Sequence, residues 1–149
     1  RVFRMLVPLA DRTEIKLTAS LDRDCYVLSM EDDAYQIIFN LVENGIKYNH
    51  AGGSVHVTAR HTQDEAELLV EDTGMGIPQD AIEHIFERFY RVDKARSRQA
   101  GGSGLGLSIV HELVERNFGT IEVSSKEGEG TKFPVRMPYF ELEEDDGDA

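Results

Sequence analysis

The sequence predicts an α/β fold, a two-layer sandwich of helices packed on a sheet. One long segment carries apolar residues at helical spacing, and several short segments carry the alternation typical of strands. Helical segments lie between pairs of expected antiparallel strands, and this order favours a sandwich over a doubly wound parallel sheet. The length of 149 residues, of which 40% are hydrophobic, suits one domain with a hydrophobic core.

The N-terminal elements follow from spacing and from helix breakers. The segment RVFRMLVPLA is typical of the cut end of a longer linker helix, to which we assign residues 1–8. Residues 14–20 and 25–28 predict short strands separated by the turn-like LDRD. A long helix is expected from Ser29, which forms a pattern like a capping box with Asp32, to the AGGS breaker.

The later elements are short and are separated by glycine-rich turns. Their apolar alternation and turn residues place each of them. They are strands at 55–59 and 66–70, a short helix at 80–89, a charged mobile loop at 90–103, a helix from Gly104 to Asn117, and strands at 119–125 and 131–138.

The charge of the chain excludes one class of partner. The formal net charge is −12, and residues 141–149, ELEEDDGDA, which we expect to be a disordered tail, hold six acids and no base. An acidic chain repels phosphate backbones, so no nucleic-acid partner is expected, although residues 88–98 form a local basic patch. The single cysteine, Cys25, permits no internal disulfide, and no run of eighteen apolar residues indicates a membrane span.

Three polar residues share one flank of the long helix. Asn40, Asn44 and Lys47 fall within a wedge of about 60° at 3.6 residues per turn, beside the apolar face. Amide oxygen is a suitable ligand for Mg²⁺, which also takes oxygens from nucleotide phosphates, and lysine adds positive charge. A solvated polar flank is the alternative interpretation of this pattern alone.

The segment DTGMGIP follows a predicted strand. Asp72 ends the strand, and Gly74 and Gly76 permit close backbone approach and positive φ. A buried carboxylate that accepts from an exocyclic amine would select adenine over guanine. An ordinary strand-to-helix turn capped by Asp and Gly is the alternative.

Two further glycine-rich segments complete the pattern. GGSGLGLS, residues 101–108, leads into a helix whose exposed amides and dipole would hold phosphate, or it is a flexible hinge. It is neither a Walker loop nor a dinucleotide fingerprint, because its spacing and its context differ from both. GEGTKF, residues 128–133, is a nucleotide-site turn or simply a hairpin turn.

Taken together, these segments resemble the catalytic domain of sensor histidine kinases, in the superfamily of gyrase-type, chaperone and mismatch-repair ATPases. NLVENGIKY, VEDTGMGIP, IFERFYRVD, GGSGLGLSIV and GEGTKF match the N box, first glycine box, F box, second glycine box and third glycine box. The resemblance covers about residues 8–138. It implies a Bergerat-type ATP-binding fold at 9–140, in which a mixed, mostly antiparallel sheet carries its helices on one face.

The resemblance also implies roles for single residues. Asn44 is the expected Mg²⁺ ligand, Asp72 contacts adenine, and Asn40, Glu43 and Arg91 are the expected catalytic residues. The other expected nucleotide contacts are Lys47, Tyr48, Gly74, Gly76, Ile77, Phe89, Tyr90, Gly102, Ser103, Gly104, Leu105, Gly106, Leu107 and Thr131. Phe86 and Phe89 are expected to anchor the base of a lid formed by residues 90–103.

The implied function is transfer of the γ-phosphoryl group of Mg-ATP to a histidine on a separate dimerisation domain, which then serves a response regulator. Relatives of this kind are commonly membrane-anchored homodimers, so the domain should face the cytoplasm, with the membrane contacted only through the missing N-terminal part. The fragment itself is expected to be monomeric. A regulatory module that holds ATP without transferring it, an ATP hydrolase and an anti-sigma type serine kinase are the alternatives. Asn40 stands where hydrolytic members have a glutamate.

Three features depart from the family pattern. Gly45 replaces the usual alanine, which should weaken the helix by up to about 1 kcal/mol. Residues 117–119 read NFG where HGG is common, and we interpret this site as structural. No phosphoacceptor segment is present, and His111, although followed by Glu112, is interpreted as a surface residue. The other histidines, expected to be structural or solvated, are His50, His56, His61 and His84.

Overall fold

The computed structural model describes residues 2–21, 31–62, 64–90 and 106–138. Within these ranges three helices, one 3-10 turn and six strands follow one another. They are α1 (Val2–Thr13), β1 (Lys16–Leu21), α2 (Glu31–Lys47), β2 (Ser54–His61), β3 (Glu65–Asp72), the 3-10 turn (Ile82–His84), α3 (Gly106–Arg116), β4 (Thr120–Ile121), β5 (Ser124–Lys126) and β6 (Gly130–Pro138).

The strands form one sheet in the order β1-β2-β3-β6-β4, and β5 also pairs with β6. β1 runs parallel to β2, whereas every other pair is antiparallel. The prediction of a mixed, mostly antiparallel sheet is therefore confirmed. Alternation along the strands sends one set of side chains to each face.

The core lies between α2 and one face of the sheet. Ile37, Leu41, Val42 and Ile46 of α2 are each at most 2% exposed, and burial of such a side chain stabilises the fold by about 1.5–3 kcal/mol. They pack with the inward-facing residues of the central strands, Val55, Val57, Val70, Phe133 and Val135. The two-layer arrangement is thus confirmed. No helix in the described ranges is both long and apolar enough to span a membrane.

Several predicted elements differ from the structure, and the strand expected at 119–125 forms two short strands, β4 and β5. α1 continues past residue 8 to Thr13, whose hydroxyl donates to the Leu9 carbonyl oxygen at 2.8 Å. The helix expected at 80–89 is wrong, because only the 3-10 turn forms there and Phe89 adopts a left-handed φ of 65°. The expected strand at 25–28, nearly all of the loop at 90–103 and the tail at 141–149 lie outside the described residues.

A polar cluster joins the C-terminal end of α3 to the start of α2. The Nδ2 group of Asn117 donates to Asp33 Oδ2 and to the Leu113 carbonyl oxygen, each at 2.8 Å. Arg116 donates two further hydrogen bonds to the Asp33 carboxylate. These hydrogen bonds, first those from Arg116 and then that from Asn117, hold the pKa of Asp33 below its ordinary value. The structure supports a structural role for the first residue of the NFG segment.

Phe118, the second residue of that segment, is strained. Its φ is 63° and its side chain is 84% exposed. An L-residue in this conformation costs about 1 kcal/mol that glycine does not. We therefore expect Phe118→Gly to raise the free energy of unfolding by about 1 kcal/mol and the melting temperature by roughly 2–4 °C in thermal denaturation.

Gly119→Ala is the matched control for Phe118→Gly. A Cβ at this position would lie 2.5 Å from the Arg136 carbonyl oxygen, so the added methyl should destabilise the domain. A lower melting temperature for Phe118→Gly would contradict the assignment of strain.

Candidate nucleotide-binding site

The first glycine turn, residues 72–77, meets the C-terminal end of α2. The Met75 amide donates to the Tyr48 carbonyl oxygen at 3.0 Å. A Cβ at Gly74 would lie 2.5 Å from that same oxygen. The close backbone approach predicted for Gly74 is confirmed, although its φ is not positive.

The hairpin turn, residues 126–130, packs on the first glycine turn backbone to backbone. Gly76 has a φ of 72°, and a Cβ there would lie 2.2 Å from the Lys126 carbonyl oxygen. A Cβ on Gly130 would lie 2.0 Å from the Asp72 carbonyl oxygen. The Gly128 amide also donates to the Met75 carbonyl oxygen at 2.7 Å. The two turns therefore fit together only because glycine occupies these positions.

Asp72 lies between the two turns and faces the helices. It is the register partner of Thr131, which is only 6% exposed. Asp72 Oδ1 accepts from the Gly74 amide at 2.8 Å. Burial raises the pKa of Asp72 to about 6, although backbone amides of Gly74 and Thr131 oppose this rise. A carboxylate in such a place favours a ligand that donates a hydrogen bond.

Ser125 was not among the residues predicted from the sequence. Its Oγ accepts from the Ile77 amide at 2.8 Å and contacts the Thr131 hydroxyl, also at 2.8 Å. It thereby links the first glycine turn to β6. A serine before a glycine turn carries no distinctive sequence signal, and its partners become evident only from the register of β5 on β6.

The polar flank of α2 lies beside the start of α3. Asn40 Oδ1 is 3.6 Å from the position of a Cβ on Gly106, the first residue of α3. Asn40 Nδ2 donates to the Gln36 carbonyl oxygen at 2.9 Å. The structure therefore brings together the N box and the helix that follows the second glycine box.

Lys47 and Glu43 form an ion pair with a nitrogen-to-oxygen distance of 3.7 Å. Their i to i+4 spacing places the two side chains next to each other on one face of α2. Asn44, one residue after Glu43, is half-buried and makes no side-chain hydrogen bond within the described part of the chain.

The surroundings of Gly45 explain why glycine replaces the usual alanine at this position. A Cβ there would lie 3.1 Å from Val55 Cγ2 and 3.3 Å from the Asp72 Cβ. The absence of a side chain lets α2 lie close against β2 and β3 beneath Asp72. This contact offsets the low helix propensity of glycine.

Comparison with known proteins identifies the family. Residues 29–141 match the family model described as histidine kinase-, DNA gyrase B-, and HSP90-like ATPase. The chain belongs to this family. The resemblance drawn from the glycine boxes is confirmed.

Two curated relatives of this ATPase domain illustrate the match. Sensor histidine kinase WalK of Bacillus subtilis is 47% identical over 131 residues, which cover 85% of this chain and 21% of WalK. Sensor histidine kinase RppB of Synechocystis is 40% identical over 135 residues, which cover 90% of this chain and 30% of RppB. The chain thus spans less than a third of the length of these two relatives.

Solved structures agree with the fold of this ATPase domain. The mycobacterial sensor histidine kinase MprB has a TM-score of 0.80 and 28% identity, with 95% of each chain covered. Full-length ShkA in complex with AMPPNP has a TM-score of 0.80 and 29% identity, with 95% of this chain and 29% of that chain covered.

The F box of this ATPase domain packs differently from expectation. Phe86 contacts the rings of Phe133, at 6.4 Å, and His111, at 5.2 Å. The His111 side chain remains 40% exposed, which agrees with its interpretation as a surface residue. Phe89 is 66% exposed, so the expected anchoring of the lid base by Phe89 is wrong. Its left-handed φ turns the chain and leaves the side chain outside the core.

The remaining predicted contacts divide into two groups. The ring of Tyr90 lies 5.4 Å from the ring of His84 and is tilted by 31° to it. The pKa of His84 is raised, chiefly by a hydrogen bond to Glu87. Leu107 packs at the edge of the core. The predicted contacts outside the described residues are Arg91, Gly102, Ser103, Gly104 and Leu105.

The other histidines are hydrogen-bonded and do not converge. His50 Nε2 lies 2.9 Å from the Thr73 carbonyl oxygen, and His56 bonds to Thr18 across the strand pair. In the described ranges no three His, Cys, Asp or Glu side chains group as a metal site. The amide oxygen of Asn44 is a donor of the kind that Mg²⁺ accepts, together with the oxygens that a nucleotide's phosphates would supply.

Proposed function

We propose that this chain is the Mg-ATP-binding catalytic domain of a two-component sensor histidine kinase. The observation that carries the proposal is Asp72 between two interlocked glycine turns, close to the polar flank of α2. The names of the relatives, and the AMPPNP bound to ShkA, support it.

Asp72 selects the base. Its carboxylate accepts from the exocyclic amine of adenine, and Thr131 lies directly across the strand pair. Guanine presents a carbonyl oxygen at the corresponding position, which would face the carboxylate with no proton between them. With guanine bound, the buried Asp72 carboxylate would lose a hydrogen bond, so the site discriminates against guanine.

Residues of α2 and α3 position the phosphates. Lys47 supplies positive charge, and the first turn of α3, which begins beside Asn40, presents backbone amides and the positive end of the helix dipole. Asn44 would hold Mg²⁺, whose charge offsets that of the phosphates. Arg91 is assigned to the γ-phosphate by family resemblance.

The reaction transfers the γ-phosphoryl group from the β-phosphate oxygen of ATP to an imidazole nitrogen of the acceptor, and ADP leaves. The transition state is largely metaphosphate-like, so positioning and charge neutralisation carry most of the catalysis. Asn40 offers no carboxylate to activate water, which favours transfer over hydrolysis. Glu43 faces the acceptor in this proposal, although its ion pair with Lys47 explains its presence equally well.

The proposal extends to the parent protein. The phosphohistidine would lie on a separate dimerisation domain and would serve a response regulator. The parent would be a membrane-anchored homodimer with this domain in the cytoplasm, and the isolated chain would be a monomer.

Phosphotransfer in trans tests the proposal. With γ-labelled Mg-ATP, we expect the chain alone to acquire no stable phosphohistidine but to label a supplied dimerisation domain from its parent kinase. Separation of the domains removes an effective concentration of about millimolar, so the rate should rise with acceptor concentration without early saturation. The label should be acid-labile and base-stable.

Two outcomes would contradict this expectation. Phosphoryl label on His111 would show that the chain carries its own phosphoacceptor histidine. Tight ATP binding without any transfer would identify a regulatory module that holds ATP.

A further inference from the structure

The Ser125 hydroxyl uses all of its hydrogen-bonding capacity. It accepts from the Ile77 amide at 2.8 Å, donates to the Gly130 carbonyl oxygen at 2.9 Å and lies 2.8 Å from the Thr131 hydroxyl. A serine hydroxyl has one proton and two acceptor lone pairs. Three partners therefore saturate it.

Only one arrangement of protons satisfies these three contacts. The Ile77 amide can only donate and the Gly130 carbonyl oxygen can only accept, so the single proton of Ser125 is directed to Gly130. The Thr131 hydroxyl must then donate its own proton to Ser125. Thr131 Oγ1 consequently offers only acceptor lone pairs to any other group.

The restriction of Thr131 Oγ1 to an acceptor role matters because of where this residue lies. Thr131 is the register partner of Asp72 on the face that the helices cover, and side chains opposed in this way have Cβ atoms about 4.5–5.5 Å apart. A base whose edge reaches Asp72 is therefore within reach of the Thr131 hydroxyl. The two groups together form a pair of acceptors.

We propose that Ser125 is a positioning residue for base recognition, which fixes the Thr131 hydroxyl as an acceptor and so favours a 6-amino purine over a 6-oxo purine. The inference rests on the proposed function, since it assumes that adenine lies at Asp72. Ser125 also joins the turn that carries Asp72 to the strand that carries Thr131. A 6-oxo purine would need a hydrogen-bond donor beside Asp72, and the hydrogen bond to Ser125 prevents the Thr131 hydroxyl from being that donor.

A role in stability alone makes a different prediction. Loss of Ser125 would then weaken the binding of every nucleotide by the same factor. If Ser125 instead fixes the direction of the Thr131 proton, its loss frees the Thr131 hydroxyl to rotate and to donate to a 6-oxo group. The ratio of two affinities separates the two roles.

Calorimetry of Ser125→Ala with ADP and inosine diphosphate provides the test. We expect the preference for ADP over inosine diphosphate to fall by about fivefold to tenfold, the value of one hydrogen bond. Ser125→Thr, which keeps the hydroxyl, should restore most of the preference. Ser124→Ala, at the exposed neighbouring position, should leave it unchanged. If Ser125→Ala does not fold, Ser125→Cys keeps the volume with a weaker donor and gives the same comparison.

Amide exchange in the nucleotide-free protein tests the network independently of binding. The Ile77 amide should exchange at least about tenfold faster in Ser125→Ala, because its acceptor is gone. Equal losses of affinity for both nucleotides, or an unchanged exchange rate, would overturn the proposal. Failure of the wild type to bind ADP would instead overturn the proposed function, and with it the role of Ser125 in base choice.

Discussion

Replacement of Asn44 by alanine should abolish the Mg²⁺-dependent part of ATP binding and leave the domain folded. The Asn44 side chain is half-buried at the edge of the core and has no hydrogen bond within the described residues. The substitution would therefore remove the proposed Mg²⁺ ligand without leaving a described hydrogen-bond partner unpaired, and alanine suits a helix better than asparagine. Loss of even an outer-shell partner of a metal costs about 10-fold to 100-fold in affinity, so a direct ligand should cost at least as much.

Calorimetry with ATP, with and without Mg²⁺, measures this effect. The mutant should bind ATP equally well in both conditions, whereas the wild type should bind more tightly with Mg²⁺. Gln36→Ala, at an exposed position of the same helix, is the matched control and should behave as the wild type. An unchanged Mg²⁺ response in Asn44→Ala would rule out Asn44 as the ligand.

Asp72→Asn should weaken nucleotide binding and stabilise the free domain at the same time. A hydrogen bond to a charged group is worth about 1.5–3 kcal/mol, so the affinity for ADP should fall by roughly 10-fold to 100-fold. The pKa of Asp72 is raised from 3.8 to about 6, because burial disfavours its charged form. This difference corresponds to about 3 kcal/mol of stability lost to the ionised carboxylate.

The pH dependence fixes the sign of the stability effect. Below pH 3.8 the carboxyl is neutral in both the folded and the unfolded state, so its ionisation costs nothing. As the pH rises through about 6, the folded state must also ionise and the stabilising contribution of the neutral form is lost. The mutant should be more stable than the wild type by up to about 3 kcal/mol at neutral pH, and the gap should close near pH 4.

Urea denaturation across this pH range, with ADP calorimetry at neutral pH, tests both parts. Glu71→Gln is the control, because Glu71 adjoins Asp72 but points to the other face of the sheet, opposite His56 and Lys132. A mutant less stable than the wild type at neutral pH would contradict the raised pKa. Equal wild-type affinity for ADP and GDP would contradict the role of Asp72 in base choice.

The features that the sequence predicts correctly are those that depend on residues close together in the chain. Gly76 is predicted from the DTGMGIP segment to permit positive φ and close backbone approach, and the structure shows both, with a φ of 72° and a carbonyl oxygen 2.2 Å from a would-be Cβ. The helical spacing of the apolar residues placed α2 and its polar flank correctly. The exposure of Phe89 could not be foreseen, because it depends on one left-handed residue at the end of a run with helical composition.

Ser125 shows a second limit of sequence reasoning. Its hydroxyl bonds to Ile77, which is 48 positions away in the chain. Such a contact depends on the register of one strand and the packing of two turns, and no local pattern encodes it. Residues that orient other residues are therefore harder to predict than those with distinctive chemistry of their own.

The place of β6 in the sheet has a consequence for biosynthesis. β6 separates β3 from β4 and β5, yet it is the last strand of the described chain to leave the ribosome. Until it emerges, β3 is an edge strand whose unpaired backbone groups can pair with another chain. A nascent or prematurely terminated chain that stops before Gly130 would carry that open edge and would lack Thr131, the residue opposite Asp72. The domain should therefore depend on chaperones, or on rapid completion of translation, until this final strand closes the sheet.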